Sequence, residues 1–263
     1  MTDTPSEKTR KIKPQISFVM PCYNEEEMIG YTIPHLANAF ENAGYNLELI
    51  AVDNGSVDRT GELIQELAVK HTAVVYHRVD VNEGYGNGVL CGLKVATAPY
   101  IGIIPADGQV DAEDVVRLYE AIAATNGNVI AKVRRRFRMD GLTRKIVSVG
   151  FNVFVNILWP RLGSYDVNGS PKIIPRDVLT QLDLKSKNWF LDAEMIIKSH
   201  YMGVRILEFN VFGRLRGNGL SHVNVNTVGE FFWKLLQYRF SPDLGNWKRE
   251  LEQTNFKTET SAG

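Results

Sequence analysis

The sequence predicts an α/β protein with a mostly parallel central sheet flanked by helices. Two observations carry this. Short apolar runs of strand length alternate with helical stretches through the first half of the chain. The runs at Ile16 to Met20 and Leu47 to Val52 are nearly continuous in apolar residues, as in strands buried on both faces. Strands separated by helices of about 10 to 15 residues build βαβ units and hence a parallel sheet.

Taken in order, the first strand runs into Pro21 and the second ends at Asp53. Between them Glu25 to Ala43 forms a helix with acidic residues in its first turn and Gly44 as its stop. There follow a helix over Thr60 to Lys70, a strand over Ala73 to His77, and a glycine-rich turn opening a helix over Gly84 to Thr97. A strand over Tyr100 to Pro105, a helix over Ala112 to Ala124 and a strand over Asn128 to Lys132 complete the regular part. The second half is less even. It holds a basic stretch from Arg134 to Arg144, an apolar helix over Ile146 to Trp159 interrupted by Asn152 and Asn156, and a polar loop over Ser164 to Pro171. A short strand at Lys172 to Ile174, a helix over Asp192 to Tyr201 and a strand over Arg205 to Phe212 come next. A Gly/Asn-rich loop from Gly213 to Asn224 leads into an amphipathic helix over Thr227 to Tyr238. Residues 1–14 read as a flexible lead, 15–240 as a single domain and 241–263 as a loose polar tail.

Composition narrows the function. Thirty basic and thirty acidic residues cancel, which argues against a nucleic-acid partner and makes any anion site a local cluster. Cys22 and Cys91 fit neither a disulfide framework nor a Cys/His metal spacing, so a cytoplasmic location is expected. No stretch approaches the roughly 20 apolar residues that span a bilayer. Any membrane role is then peripheral, on the cytoplasmic face.

In open parallel sheets ligands sit beyond the carboxyl ends of the strands, which selects the loops Pro21 to Glu27, Asp53 to Thr60 and Pro105 to Asp111. Asp53 and Asn54 end a buried strand, Gly55 allows close backbone approach, and Ser56 and Asp58 precede the next helix. A carboxylate there accepts hydrogen bonds from a base or ribose; the competing reading is a turn that caps the helix. Tyr23 offers a stacking surface and Glu25 an acceptor in the same crevice. Asn82 to Gly88 is glycine-rich without the Gly-Lys-Ser/Thr ending of a Walker loop, so Gly84 and Gly86 suit packing with some ligand contact. Six cations, Arg134, Arg135, Arg136, Arg138, Arg144 and Lys145, fall within twelve residues. Arg144 and Ser148 stand four residues apart, on one helix face.

The order of these motifs resembles glycosyltransferase family 2, and within it the dolichyl- and polyprenyl-phosphate mannosyltransferase branch, over residues 14 to 225. The resemblance implies a GT-A (Rossmann-like) fold, with a nucleotide-binding half to about residue 109 and an acceptor half after it. It implies that Pro21, Tyr23, Glu25, Asp53, Asn54, Ser56, Gly84, Gly86, Ala106 and Asp107 line the site of a nucleotide-sugar donor, GDP-mannose or a UDP-sugar. Asn54 replaces an Asp of the family pattern. Pro105 replaces the first acid of its Asp-x-Asp motif, leaving Asp107 and Gln109 to hold Mg²⁺ or Mn²⁺ together with phosphates and water. The competing reading of this loop is a turn in which Asp111 caps the next helix. Arg134, Arg144 and Ser148 match the branch's grip on a polyprenyl-phosphate acceptor, for which guanidinium groups are well shaped. Arg214, Arg216, Gly219, Ser221 and His222 resemble the loop that closes over the diphosphate, with His222 at a Lys position and Arg216 as the catalytic cation.

Asp192 and Glu194 fall where soluble members place an acid; they are general-base candidates if the acceptor is a hydroxyl of a saccharide or small molecule, and otherwise cap the helix or orient the arginines. The departures at Asn54, Pro105 and His222 also leave open a nucleotide-sugar binding protein with weakened catalysis. The expected partners are the donor and a lipid-phosphate acceptor at a membrane surface; the run from Phe231 to Trp233 suits a membrane interface, the protein's own core, a second copy or a membrane protein.

Overall fold

The computed structural model describes residues 13–125, 127–137, 142–212 and 225–261, and within them not the side chains of 135–137, 142–148, 212, 225–228, 230, 231 and 254–261. Its centre is a seven-stranded sheet of order β3-β2-β1-β4-β6-β5-β7. The first half builds β1 (Ile16–Cys22), α1 (Glu26–Asn42), β2 (Leu47–Asn54), α2 (Thr60–Lys70), β3 (Val74–Val79), α3 (Tyr85–Val95), β4 (Tyr100–Ile103) and α4 (Ala112–Ala123). The second half adds β5 (Val129–Phe137), α5 (Leu142–Leu158), β6 (Lys172–Pro175), α6 (Arg176–Leu182), α7 (Leu191–Tyr201), β7 (Arg205–Phe212), α8 (Val225–Arg239) and α9 (Pro242–Ser261). β1 lies parallel to β2 and β4, β2 to β3, and β5 to β7. β6 alone runs antiparallel, wedged between β4 and β5.

The pleat sends alternate residues of each strand into different layers. Phe18 and Met20 of β1 pack with Ile29, Ile33 and Phe40 of α1 and with Val115, Leu118 and Ile122 of α4. Val19 between them joins Ile50, Val52 and Ile101 on the opposite face. Beside that layer Ile103, Ile130 and Ile174 meet Val89 of α3, Val178 of α6 and Leu191 and Met195 of α7. Both faces are covered, which is why the strands read as nearly unbroken apolar runs. A separate cluster joins Phe151, Val155 and Trp159 of α5 to Leu235 of α8 and Leu244 and Trp247 of α9.

The structure departs from the expected elements in the second half. β5 continues through Phe137, so Arg134, Arg135 and Arg136 lie on a strand rather than in a loop, with an irregularity in the pairing to β7 between Arg135 and Phe137. α5 begins at Leu142, which puts Arg144 and Ser148 in the first two turns of one helix. α6 was not foreseen, and residues expected as a loose tail form the helix α9.

Candidate active site

Strand registers gather the selected loops at one end of the sheet. Cys22 pairs with Asp53, Asp53 with Arg78, and Val19 with Ile103, so the segments after β1, β2 and β4 leave the sheet side by side. The first two are stitched together by backbone donors. The Asn24 N–H donates to Ser56 Oγ (3.2 Å) while Asn24 Oδ1 accepts from the Val57 N–H (3.0 Å). The Glu25 N–H donates to Thr60 Oγ1 at 2.9 Å, and the Arg59 N–H to Glu26 at 3.0 Å. Pro21, Tyr23, Glu25 and Ser56 are half-buried along this seam.

Asp53 is fully buried. One of its oxygens accepts the Ser56 N–H at 3.0 Å and the other the Arg78 guanidinium at 2.7 Å. Arg78, on β3, was not singled out in the sequence, although it stands at the carboxyl end of its strand as Asp53 does. Asn54 is buried. Its side-chain amide donates to Asn82 Oδ1 (3.2 Å) and to the Gly84 carbonyl (3.1 Å), tying β2 to the glycine-rich segment. Cys22 beneath the seam is buried, and that burial, with the nearby carboxylates of Glu25, Asp53 and Asp58, pushes its thiol far above the usual range, so it stays protonated.

The glycines of that segment serve packing. Gly84 has φ 116°, and a Cβ there would lie 2.5 Å from the Lys187 carbonyl. A Cβ on Gly86 would overlap the Ser186 carbonyl and lie 2.7 Å from that of Asn188. The Asn87 N–H donates to the Lys187 carbonyl at 2.8 Å, and Tyr85 stacks on Trp189 at 4.5 Å. The packing expected of Gly84 and Gly86 is thus a seat for the 186–189 loop.

At the end of β4, Asp107 is half-exposed and its Oδ1 accepts the Gln109 N–H at 3.2 Å. Thr32 of α1 holds the loop by donating to the Ala106 carbonyl at 3.0 Å. Asp111 occupies the N-cap position of α4 without a side-chain cap bond. Among the described residues no group of three or more His, Cys, Asp or Glu side chains is placed to hold a metal. The metal site expected at Asp107 and Gln109 thus offers few protein oxygens, and an ion held there would need diphosphate and water to complete its shell.

On β5 and β6 lies a buried set of charges that the sequence reading missed. β6 pairs Lys172 with Ile103 on one side and with Lys132 on the other. Both lysine side chains are fully buried. Lys172 donates to Asp192 at 2.7 Å, so Asp192 is an ion-pair partner at the N-terminus of α7. Lys132 donates to Ser164 Oγ (3.2 Å), to the Asp166 carbonyl and to Glu208 (3.3 Å). The same Glu208 oxygen accepts from the Ser164 hydroxyl (2.6 Å) and from the Tyr165 N–H (2.9 Å). Burial and the neighbouring Lys172 charge push the Lys132 ammonium down to about 8. This clamp fixes the 164–166 turn, on which the Tyr165 ring lies 4.5 Å beneath the Arg134 guanidinium. Asn152 of α5 holds the same loop by accepting the Val167 N–H at 3.0 Å.

Glu194 is removed from the general-base candidates. It is 2% exposed, accepts the Lys185 and Ser186 N–H groups at 3.2 and 2.9 Å, and pairs with Lys198 at 2.8 Å. Two positions from Asp192 on α7, it points to a different side of the helix. The side chains of Arg144 and Ser148, and the whole loop with Arg214, Arg216, Gly219, Ser221 and His222, lie outside the described residues.

Comparison with known proteins agrees with this architecture. The dolichol-phosphate mannosyltransferase of Pyrococcus furiosus is 28% identical over 246 residues, covering 91% of this chain and 66% of that protein. An undecaprenyl-phosphate 4-deoxy-4-formamido-L-arabinose transferase of Pectobacterium carotovorum is 35% identical over 144 residues, covering 53% of this chain and 42% of that one. In fold the chain is similar to the glucosyl-3-phosphoglycerate synthase of Mycobacterium tuberculosis, solved with Mn²⁺, uridine diphosphate and glucosyl-3-phosphoglycerate. That likeness has a TM-score of 0.65 at 20% identity, covering 86% of this chain and 80% of the other. The sequence model of glycosyl transferase family 2 matches residues 17–182, and the chain belongs to that family.

Proposed function

We propose that the protein transfers a sugar from a nucleotide-sugar to the phosphate of a polyprenyl-phosphate-like lipid, with inversion at the anomeric carbon. The observation that carries this reading is the convergence at one sheet end of the β1, β2 and β4 loops with the basic end of β5. The donor's nucleotide would lie along Tyr23, Glu25 and the Asp53–Arg78 pair. An acceptor phosphate is already an anion, so an oxygen of it attacks the anomeric carbon without a general base as the bond to the nucleoside diphosphate breaks. Arg134 on β5, with Arg144 and Ser148 on α5, would hold that phosphate. Asp107 would hold a divalent ion, whose chemistry is to neutralise charge on the leaving diphosphate. Arg216 adds a cation there by the family resemblance. Asp192, paired with Lys172, positions the floor of the site.

The test is Arg134→Ala and Arg144→Ala, each assayed for nucleotide-sugar binding and for acceptor KM. We expect at least tenfold higher KM for a prenyl phosphate, in line with the about 1.5–3 kcal/mol of a hydrogen bond to a charged group, and unchanged donor binding. Unchanged acceptor KM in both variants would remove the acceptor assignment.

A further inference from the structure

We propose that Tyr165 is a positioning residue for the acceptor, its ring being the seat that holds Arg134 in place for the acceptor phosphate; the inference rests on the lipid-phosphate reading above. Tyr165 is 72% exposed, so its ring is not part of the core. The centre of that ring lies 4.5 Å from the central carbon of the Arg134 guanidinium. This is inside the about 6 Å over which a cation is drawn to an aromatic face. The ring attracts the cation through its quadrupole and not as a hydrogen-bond acceptor, so the N–H donors of Arg134 stay open to a ligand. A carboxylate in the same place would occupy those donors and cancel the charge. An aromatic seat instead fixes the group and leaves it a full cation, as parallel hydrogen bonds to a phosphate require.

The seat is pinned to the strand that carries the cation. Lys132 and Arg134 stand two residues apart on β5, and the pleat sends both side chains to the same face. Lys132 grips Ser164 and the Asp166 carbonyl, and Glu208, its register partner on β7, accepts the Tyr165 N–H at 2.9 Å. The far end of the same loop is held as closely. A Cβ on Gly169 would overlap the Val133 carbonyl, and the Val133 N–H donates to the Pro171 carbonyl at 3.0 Å. The Ser170 hydroxyl donates to the Ile103 carbonyl at 3.2 Å, tying the loop to β4 as well. Tyr165 thus sits on a loop fixed on both sides of it, while Arg134 is a long side chain with many rotamers. Restricting that side chain beforehand lowers the cost of ordering it when the phosphate arrives.

The experiment compares the full chain with Tyr165→Leu, Tyr165→Phe, Arg134→Ala and the double variant Tyr165→Leu, Arg134→Ala. KM and kcat are measured for a short-chain, water-soluble prenyl phosphate, and ¹H–¹⁵N spectra of the arginine side chains are recorded without donor or acceptor, the Arg134 signal being the one missing in Arg134→Ala. We expect Tyr165→Leu to raise the acceptor KM about threefold or more, the size of an exposed cation–π contact, with kcat and melting temperature unchanged. Tyr165→Phe should match the parent, Tyr165→Leu should add nothing in the Arg134→Ala background, and the Arg134 Nε–H signal should move when the ring is lost. An unmoved signal overturns the proposal, as does an unchanged KM in Tyr165→Leu where Arg134→Ala raises it. Additive effects in the double variant overturn it too, since the ring would then touch the acceptor itself, and so does a Tyr165→Phe as impaired as Tyr165→Leu. A moved signal in a protein that does not transfer to prenyl phosphate, or whose KM is indifferent to Arg134→Ala, sinks the lipid-phosphate reading and leaves Tyr165 as the seat of Arg134.

Discussion

Replacing Lys132 by Met tests the buried clamp at the rim of the site. The ammonium's fall from 10.5 to about 8 corresponds to about 3 kcal/mol against the charged form inside the fold. At 3.3 Å from Glu208 its attraction is about 5 kcal/mol at an effective dielectric of about 20, so desolvation and Lys172 outweigh that partner. The substitution removes the charge but strands the Glu208 carboxylate, whose Oε2 is already buried without a hydrogen-bond partner among the described residues. Breaking a buried pair from one side costs about 3–5 kcal/mol, and relief of the lysine's own penalty offsets part of it. We expect Lys132→Met to lose about 2–3 kcal/mol in urea unfolding. The double variant Lys132→Met, Glu208→Gln should regain most of this, because an amide oxygen at 208 still accepts from Ser164 and the Tyr165 N–H. The pH dependence has a fixed sign. With the folded value below the unfolded one, the fold binds fewer protons between about pH 8 and 10.5, so this group's contribution to stability rises through that window, and Lys132→Met removes the rise. A single-variant loss below about 1 kcal/mol, or a double variant no better than the single, would mean that the Lys132–Glu208 pair does not hold this turn.

Two further outcomes follow from the geometry. Gly86→Ala should lower stability by more than about 2 kcal/mol in thermal unfolding, because its Cβ meets backbone carbonyls rather than a movable side chain; a normal melting temperature with weakened donor binding would instead make the segment a phosphate cradle. Asp107→Ala should reduce transfer by at least a hundredfold with the melting temperature unchanged, and full activity would take the metal away from this residue.

What could be read from the sequence depended on how local each signal is. The donor-side loops were legible because a strand end and its motif are contiguous: Asp53 closes β2 and Asp107 follows β4 within a few residues. The lysine clamp was not, since Lys132 meets Ser164 and Glu208 only through tertiary contacts 32 and 76 residues away. Lys132 stood at the expected strand end, so nothing marked it as buried. Glycine spacing at 84 and 86 announced a close approach but not what approaches, which proved to be the 186–188 backbone. α9 was hidden by its polar composition, although Leu244, Trp247 and Leu251, three and four residues apart, are the stripe that packs it on α5 and α8.

The proposed acceptor atom is a phosphate oxygen. That assignment is tested most directly by incubating the purified chain with Mn²⁺ and a panel of labelled nucleotide-sugars, offering each a prenyl phosphate and the corresponding prenol in parallel. We expect a labelled prenyl-phosphate sugar from at least one donor and none on the alcohol; label on the alcohol or on a saccharide hydroxyl, with none on the phosphate, would rule out a phosphate acceptor.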